Sequence, residues 1–203
     1  MAPPTRRDFT STIGLTLSSA VFHGISASAW NRYPARRFSP DSGLPKIETV
    51  PAEFEPEFVA GVTEIFERLI VFNQVLGLKV SEVKPQWCRG RIAMKPELVG
   101  HYSYNRLHGG VISATLDAMG GLASMAAIGA RHMHETPAQR IARFSKLGTI
   151  DLRVDYLRQG IGEYFDVYAE VLRSGSRVCS TRMELRAPDG KLLSTGCGAY
   201  IVS

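Results

Sequence analysis

Cysteine is scarce in this 203-residue chain, and its three copies, Cys88, Cys179 and Cys197, have neither an even count nor a metal-ligand spacing. That excludes a disulfide framework and points to reduced thiols in a reducing compartment. Cys179 and Cys197 fall in strand patterns on what reads as the apolar face, the place of packing residues rather than nucleophiles. A one-sided charge is lacking as well. The formal net charge is +5, but residues 1–45 hold five Arg against two acidic groups, so +3 belongs there and +2 to the remainder. Without a basic face on the folded part, nucleic acid is not an expected partner. Hydrophobic residues at 44% and charged ones at 21% describe an ordinary globular protein with one good core.

Also missing is a run of large aliphatic residues suited to crossing a membrane. The nearest is Gly109 to Ala130, which as a helix measures roughly 33 Å at about 1.5 Å per residue. Gly, Ala and Ser dominate it and Asp117 lies within it, where an ionised carboxylate in a bilayer costs about 2.5–3.5 kcal/mol. The run therefore reads as a helix that is hydrophobic on all sides because protein encloses it, and no membrane span is expected. Gly110, Ala114, Asp117, Gly121 and Ser124 form one narrow stripe that another backbone can approach closely. At its start, Gly109 and Gly110 follow His108, so their N–H groups have no partner within the helix and sit at the positive end of its dipole. An oxyanion-binding end and a carboxylate base two turns on make one reading. A glycine-rich helix start with an Asp satisfied by a neighbouring hydroxyl makes the other.

From Leu147 onward the chain reads as four strands of period two: Ile150 to Tyr156, Phe165 to Val171, Cys179 to Leu185 and Leu193 to Ile201. Arg173 to Arg177 and Ala187 to Gly190 are hairpin turns. One face of such an antiparallel sheet must be covered, and the enclosed helix is the natural cover. Earlier, Glu53 to Asn73 has helical periodicity, with Phe54, Phe58, Val62, Ile65, Phe66, Leu69 and Ile70 on one face. Two further strands follow, Leu76 to Lys84 and Gln86 to Lys95. Pro96 to Leu107 is a loop whose Tyr102, Tyr104 and Asn105 are candidates to line a pocket. In the polar insert Arg131 to Lys146, the i, i+2 spacing of His132 and His134 sets them on different sides of a helix, which argues against a metal site.

His108-Gly109-Gly110, six residues and Asp117, followed by the strand Gly148 to Arg158 (GTIDLRVDYLR), resemble the PaaI-type hotdog-fold acyl-CoA thioesterases, and within them the YigI-like branch. The resemblance covers about Phe58 to Val202. It implies an α+β hotdog fold, a curved antiparallel sheet wrapped around a long central helix, paired into dimers and often tetramers. It implies hydrolysis of acyl-CoA, of medium to long chain in this branch, with no metal and no cofactor. By the same resemblance Gly109 supplies an oxyanion-hole amide, Asp117 is the base or nucleophile, and Thr149 helps orient the attacking water. His108 is a capping and orienting residue beside Gly110. Many relatives carry an Asn six or seven residues before the His, where this chain has Tyr102 and His101. Asn105 stands nearer; that polar role is left unassigned, and Asn105 is kept with His108 and Gly110 as a candidate substrate-binding residue. Arg158, Arg173 and Arg177, at strand ends and turns, are candidates to meet the CoA phosphates. A hotdog-fold dehydratase and a non-catalytic acyl-thioester binding module remain the other readings. Residues 1–50 form a separate extension, disordered or targeting-like: Thr5-Arg6-Arg7-Asp8-Phe9 resembles a twin-arginine signal, and the stretch also passes for an organellar presequence. A CoA substrate favours the cytoplasm, with export or an organelle as the alternatives.

Overall fold

The computed structural model describes residues 53–203, so the expected extension at residues 1–50 lies outside the described residues. Helix α1, Pro56–Glu64, opens with proline in its first turn, where the missing N–H is no loss. It buries Phe58 and Val62, as the periodicity predicts. The single helix expected to Asn73 is broken, however. Ile65–Leu69 is a π turn, Ile70 is extended, and α2, Val71–Leu76, restarts in a new direction. The wider turn rotates the apolar stripe off the core. Phe66 stays buried, Leu69 becomes 64% exposed, and Asn73 Nδ2 donates to the orphaned Phe66 carbonyl at 2.9 Å.

Strands β1, Lys79–Val83, and β2, Trp87–Ala93, follow, with Cys88, Gly90 and Ile92 inward. The predicted loop to Leu107 contains a short two-stranded piece, β3, Val99–His101, and β4, Arg106–Leu107. Helix α3, Gly109–Arg131, is the long helix, and every residue from Met119 to Gly129 is buried. Then come α4, Pro137–Ala142, and strands β5, Gly148–Tyr156, β6, Tyr164–Ser174, β7, Val178–Arg186, and β8, Leu192–Ile201. The six long strands form one antiparallel sheet in the order β1-β2-β6-β7-β8-β5, with α3 across one face. The helix-covered antiparallel sheet is the one the strand and helix pattern predicts, and it is the hotdog architecture that the family resemblance implies. The core lies between α3 and the inward residues Phe165, Val167, Ala169, Met183 and Leu185.

Two strands depart from simple alternation. In β8 the inward set is Ser194, Gly196, Gly198 and Tyr200, and Cys197 is exposed, contrary to its expected place on the apolar face. Small residues take the inward positions because α3 lies close: a Cβ at Gly196 would stand 3.3 Å from Leu116 and Met183. Cys88 and Cys179 are buried, and burial pushes the Cys88 thiol up to about 12. Strand β5, at the sheet edge, carries a bulge between Thr149 and Asp151. The extra residue turns Thr149 toward α3 and leaves Ile150 57% exposed.

The insert between α3 and β5 is tied to α1 by one buried cation. Arg140, with no exposed surface, donates to Glu55 at 2.6 Å and lies over the Phe58 ring, 4.6 Å from its centroid. The guanidinium holds the Glu55 carboxyl below the usual range. A carboxyl depressed on folding stabilises above its ordinary titration and loses that contribution as pH falls. Arg140→Met is therefore expected to lower the thermal midpoint at pH 7 by at least about 3 °C. The deficit should shrink as pH drops below the ordinary Glu value of about 4.3. Calorimetry across that range checks both.

Candidate active site

Asp117 sits at the middle of α3, partly buried, held by two hydroxyls. Thr149 Oγ1 donates to Asp117 Oδ1 at 2.9 Å. The Tyr200 hydroxyl lies 3.2 Å from the same oxygen and 3.1 Å from the Asp117 carbonyl. Thr149 and Tyr200 are direct partners across β5 and β8, and the bulge one residue further on lets both face the helix. Room for the phenol comes from glycine. A Cβ at Gly120 would overlap the Tyr200 hydroxyl, and one at Gly198 would stand 2.8 Å from it. Burial and, second, the Asp117 carboxylate push the Tyr200 phenol upward, so it remains a protonated donor. With Oδ1 occupied, Oδ2 has no hydrogen-bond partner among the described residues. It faces a cleft of about 250 Å³ lined largely by apolar side chains, including Phe66, Phe144 and Leu147.

The start of α3 is the second feature. His108 is its N-cap, and its Nδ1 accepts from the Gly110 N–H at 2.9 Å. In the neutral ring this places the proton on Nε2. The Gly109 N–H has no acceptor among the described residues, so of two adjacent amides one is taken by His108 and one is left free. Tyr156 OH donates to the Gly109 carbonyl at 3.1 Å and fixes the turn against β5. This end opens on a second cleft, lined by Arg106, His108, Gly109, Tyr156 and Arg158 among others. An anchored carboxylate and a free amide at a helix N-terminus are the parts that acyl transfer requires.

The sequence likeness matches that chemistry. The thioesterase superfamily profile matches residues 104–194. The medium/long-chain acyl-CoA thioesterase YigI of Escherichia coli K12 is 34% identical over 141 residues, which span 70% of this chain and 91% of the relative. This chain belongs to the thioesterase superfamily. The YigI protein of Salmonella typhimurium is 35% identical over the same lengths. A crystal structure from Shewanella oneidensis, described as related to the thioesterase superfamily, shares 37% identity. It aligns with a TM-score of 0.68 over 74% of this chain and all of its own.

Within this thioesterase the candidate residues separate. Gly109, Asp117, Thr149, His108 and Arg158 line the two clefts, and Arg158 is steadied by a 2.9 Å bond to the Leu192 carbonyl. The Gly110 amide is taken by His108 and is not open to substrate. Asn105 occupies the β3–β4 turn with φ of 44°, exposed, and lines neither cleft; Arg106 next to it does. Arg173 and Arg177 flank the β6–β7 turn beside Arg131, at the other end of α3 from Gly109. Alternation alone does not single out Tyr200, because β8 reads equally well with either face inward. The signal for it is the pair Gly196 and Gly198 in alternation with Tyr200.

The insert after α3 differs from the helical geometry expected of it. Because α3 ends at Arg131, His132, His134 and Glu135 lie in a turn, and their ligand atoms come within 4.8 Å of one another. Both Glu135 oxygens are engaged by Arg143, at 2.5 and 2.9 Å, which brings that carboxyl down to about 2. The carboxylate is neutralised where a metal would need it.

Tyr200→Phe removes one donor to a charged group. It is expected to lower kcat by roughly tenfold with little change in KM, the scale of a charge-assisted bond. Gly120→Ala should reproduce the defect by displacing the phenol. Steady-state kinetics on folded variants checks both.

Proposed function

We propose that this thioesterase hydrolyses acyl-CoA with medium to long acyl chains, releasing fatty acid and CoA, and works in the cytoplasm as a dimer or dimer of dimers. The observation that carries the reading is the Asp117 carboxylate, fixed through Oδ1 and open through Oδ2 to an apolar cleft. Likeness to the YigI thioesterases supports acyl-CoA as substrate. The intracellular origin of CoA supports the compartment.

The thioester carbonyl oxygen accepts from the Gly109 N–H, backed by the positive end of α3, where negative charge develops in the transition state. One such donor is worth about 3–4 kcal/mol. In one route Asp117 Oδ2 takes a proton from a water whose oxygen adds to the carbonyl carbon; the carbon–sulfur bond then breaks and the proton passes to the departing CoA thiolate. In the other Asp117 Oδ2 attacks the carbonyl carbon itself, the carbon–sulfur bond breaks to leave an aspartyl–acyl anhydride and CoA thiolate, and water then hydrolyses the anhydride and supplies the thiolate's proton. Arg106 and Arg158, in the Gly109 cleft, suit the CoA phosphates.

One chain cannot supply both groups to one thioester. Gly109 and Asp117 are eight residues apart on α3, about 12 Å, whereas a carbonyl held by the Gly109 amide lies about 3 Å from it. Pairing of two chains through the edge strand would supply both. Tyr156, beside Gly109, and Thr149, beside Asp117, both stand on β5, whose outer side has no strand partner among the described residues. Antiparallel pairing of two β5 strands about a two-fold axis sets the Tyr156 end of one chain against the Thr149 end of the other. Each of two sites then combines Gly109 from one chain with Asp117 from its partner. The exposed Ile150 and Tyr156 support such a contact.

Asp117→Asn is expected to cut kcat by at least about 10²-fold in a folded protein; near wild-type hydrolysis would refute the mechanism. The shared site has its own test. Gly109→Pro deletes the free amide at a first-turn position that tolerates proline, and His108, at φ −69° and ψ 139°, already suits the residue before one. Each variant alone should be inactive. An equimolar mixture after subunit exchange should regain up to about a quarter of wild-type activity, one intact site in each heterodimer. Verified exchange with no regained activity overturns the shared site.

A further inference from the structure

The Asp117 cleft has a shape that neither hydrolysis nor subunit pairing requires. Asp117, Thr149 and Tyr200 line it together with Asn73 and the apolar side chains Phe66, Phe72, Phe144 and Leu147, and the Phe66 and Phe144 rings meet edge to face with centroids 5.5 Å apart. The two adjacent glycines of α3 differ in what they meet. Gly120 is required by the Tyr200 phenol. A Cβ at Gly121 would find only ordinary contacts, 3.8 Å to Leu147 and Phe66 and 3.9 Å to Tyr200. Close packing therefore does not forbid a small side chain at 121, which would fill the gap between Phe66, Leu147 and Tyr200. At the mouth Phe72 is 58% exposed, and Leu69, Val71 and Val75 on the same broken helix are exposed beside it. Contiguous exposed apolar surface of this kind marks a contact site.

We propose that this cleft holds the acyl chain of the thioester, that Gly121 sets how deeply the chain enters, and that Phe72 and its neighbours extend the path for longer chains. The inference rests on the acyl-CoA hydrolase reading and deepens it by assigning the residues that select chain length. With the carbonyl carbon at Asp117 Oδ2, the CoA side leads toward the polar cleft of the other chain, with its Arg106 and Arg158, and the apolar cleft is left for the acyl group. Phe66 and Phe72 precede the segment 104–194 matched by the superfamily profile. That wall thus comes from a part of the chain outside the profile. Each methylene buried there strengthens binding about fourfold.

The test compares kcat/KM for butyryl-, octanoyl- and hexadecanoyl-CoA, with binding of the matching non-hydrolysable thioethers measured in parallel by calorimetry. Gly121→Leu, or Gly121→Val if the larger residue impairs folding, should lower the hexadecanoyl-to-butyryl ratio at least tenfold. Phe72→Ser should lower the hexadecanoyl-to-octanoyl ratio at least fourfold. Leu172→Ser, an exposed apolar position on β6 outside the cleft, should leave both ratios unchanged. Unchanged ratios in the Gly121 and Phe72 variants, in turnover and in binding, overturn the proposal. So does a Phe72→Ser protein that changes only its oligomeric state, which would make this face a subunit contact. If the wild type binds the thioethers with this length dependence but hydrolyses no acyl-CoA, the acyl site stands and the hydrolase reading falls. If it neither binds nor hydrolyses them, both fall.

Discussion

The molecule depends on how closely α3 can lie against the sheet. At Gly120 and Gly198 no side chain keeps helix and strand apart, and the space is filled by one phenol, Tyr200, whose hydroxyl reaches the Asp117 backbone and carboxylate. A tyrosine this buried must find a polar partner, and a carboxylate this deep in an apolar helix must find donors. Each satisfies the other. The contact thus stabilises the layer packing and sets the rotamer of the Asp117 carboxylate at once.

Asymmetry within the carboxylate follows from that contact. Both donors, Thr149 and Tyr200, converge on Oδ1, because they are cross-strand partners on the same face. The other oxygen is left to the cleft. A similar division occurs at the helix start, where His108 takes the Gly110 amide and leaves that of Gly109. In both places a pair of equivalent groups is split into one structural and one available member. That split is how a rigid scaffold can present reactive groups without leaving all of them unsatisfied.

Irregularities of the backbone do the remaining positioning. The β5 bulge brings Thr149 round to the helix, and the π turn at Ile65–Leu69 carries Ile70 and Phe72 to the mouth of the Asp117 cleft. Each inserts one residue's worth of rotation into an otherwise regular element. Both occur beside the site, where bulges and π turns are commonly found.

Much of this was legible in the chain. The length and composition of Gly109 to Ala130 determined an enclosed helix, because only small residues with one charge make a helix that protein must surround on all sides. Period-two alternation determined most of the strands, and the His108-Gly109-Gly110 to Asp117 spacing determined that helix-start amides and a carboxylate would stand two turns apart on one helix. Local pattern carries such features because each depends on neighbours a few residues apart. What only the tertiary structure decided depends on residues far apart in sequence. The inward face of β8 turns on which alternate set meets α3, and alternation alone does not say that it is the set with Tyr200 and not the set with Cys197. The break after Phe66 and the convergence of His132, His134 and Glu135 arise where helices stop, and periodicity is silent about that. Which glycine amide stays free was settled by the His108 ring, a contact two residues long that spacing allowed but could not choose.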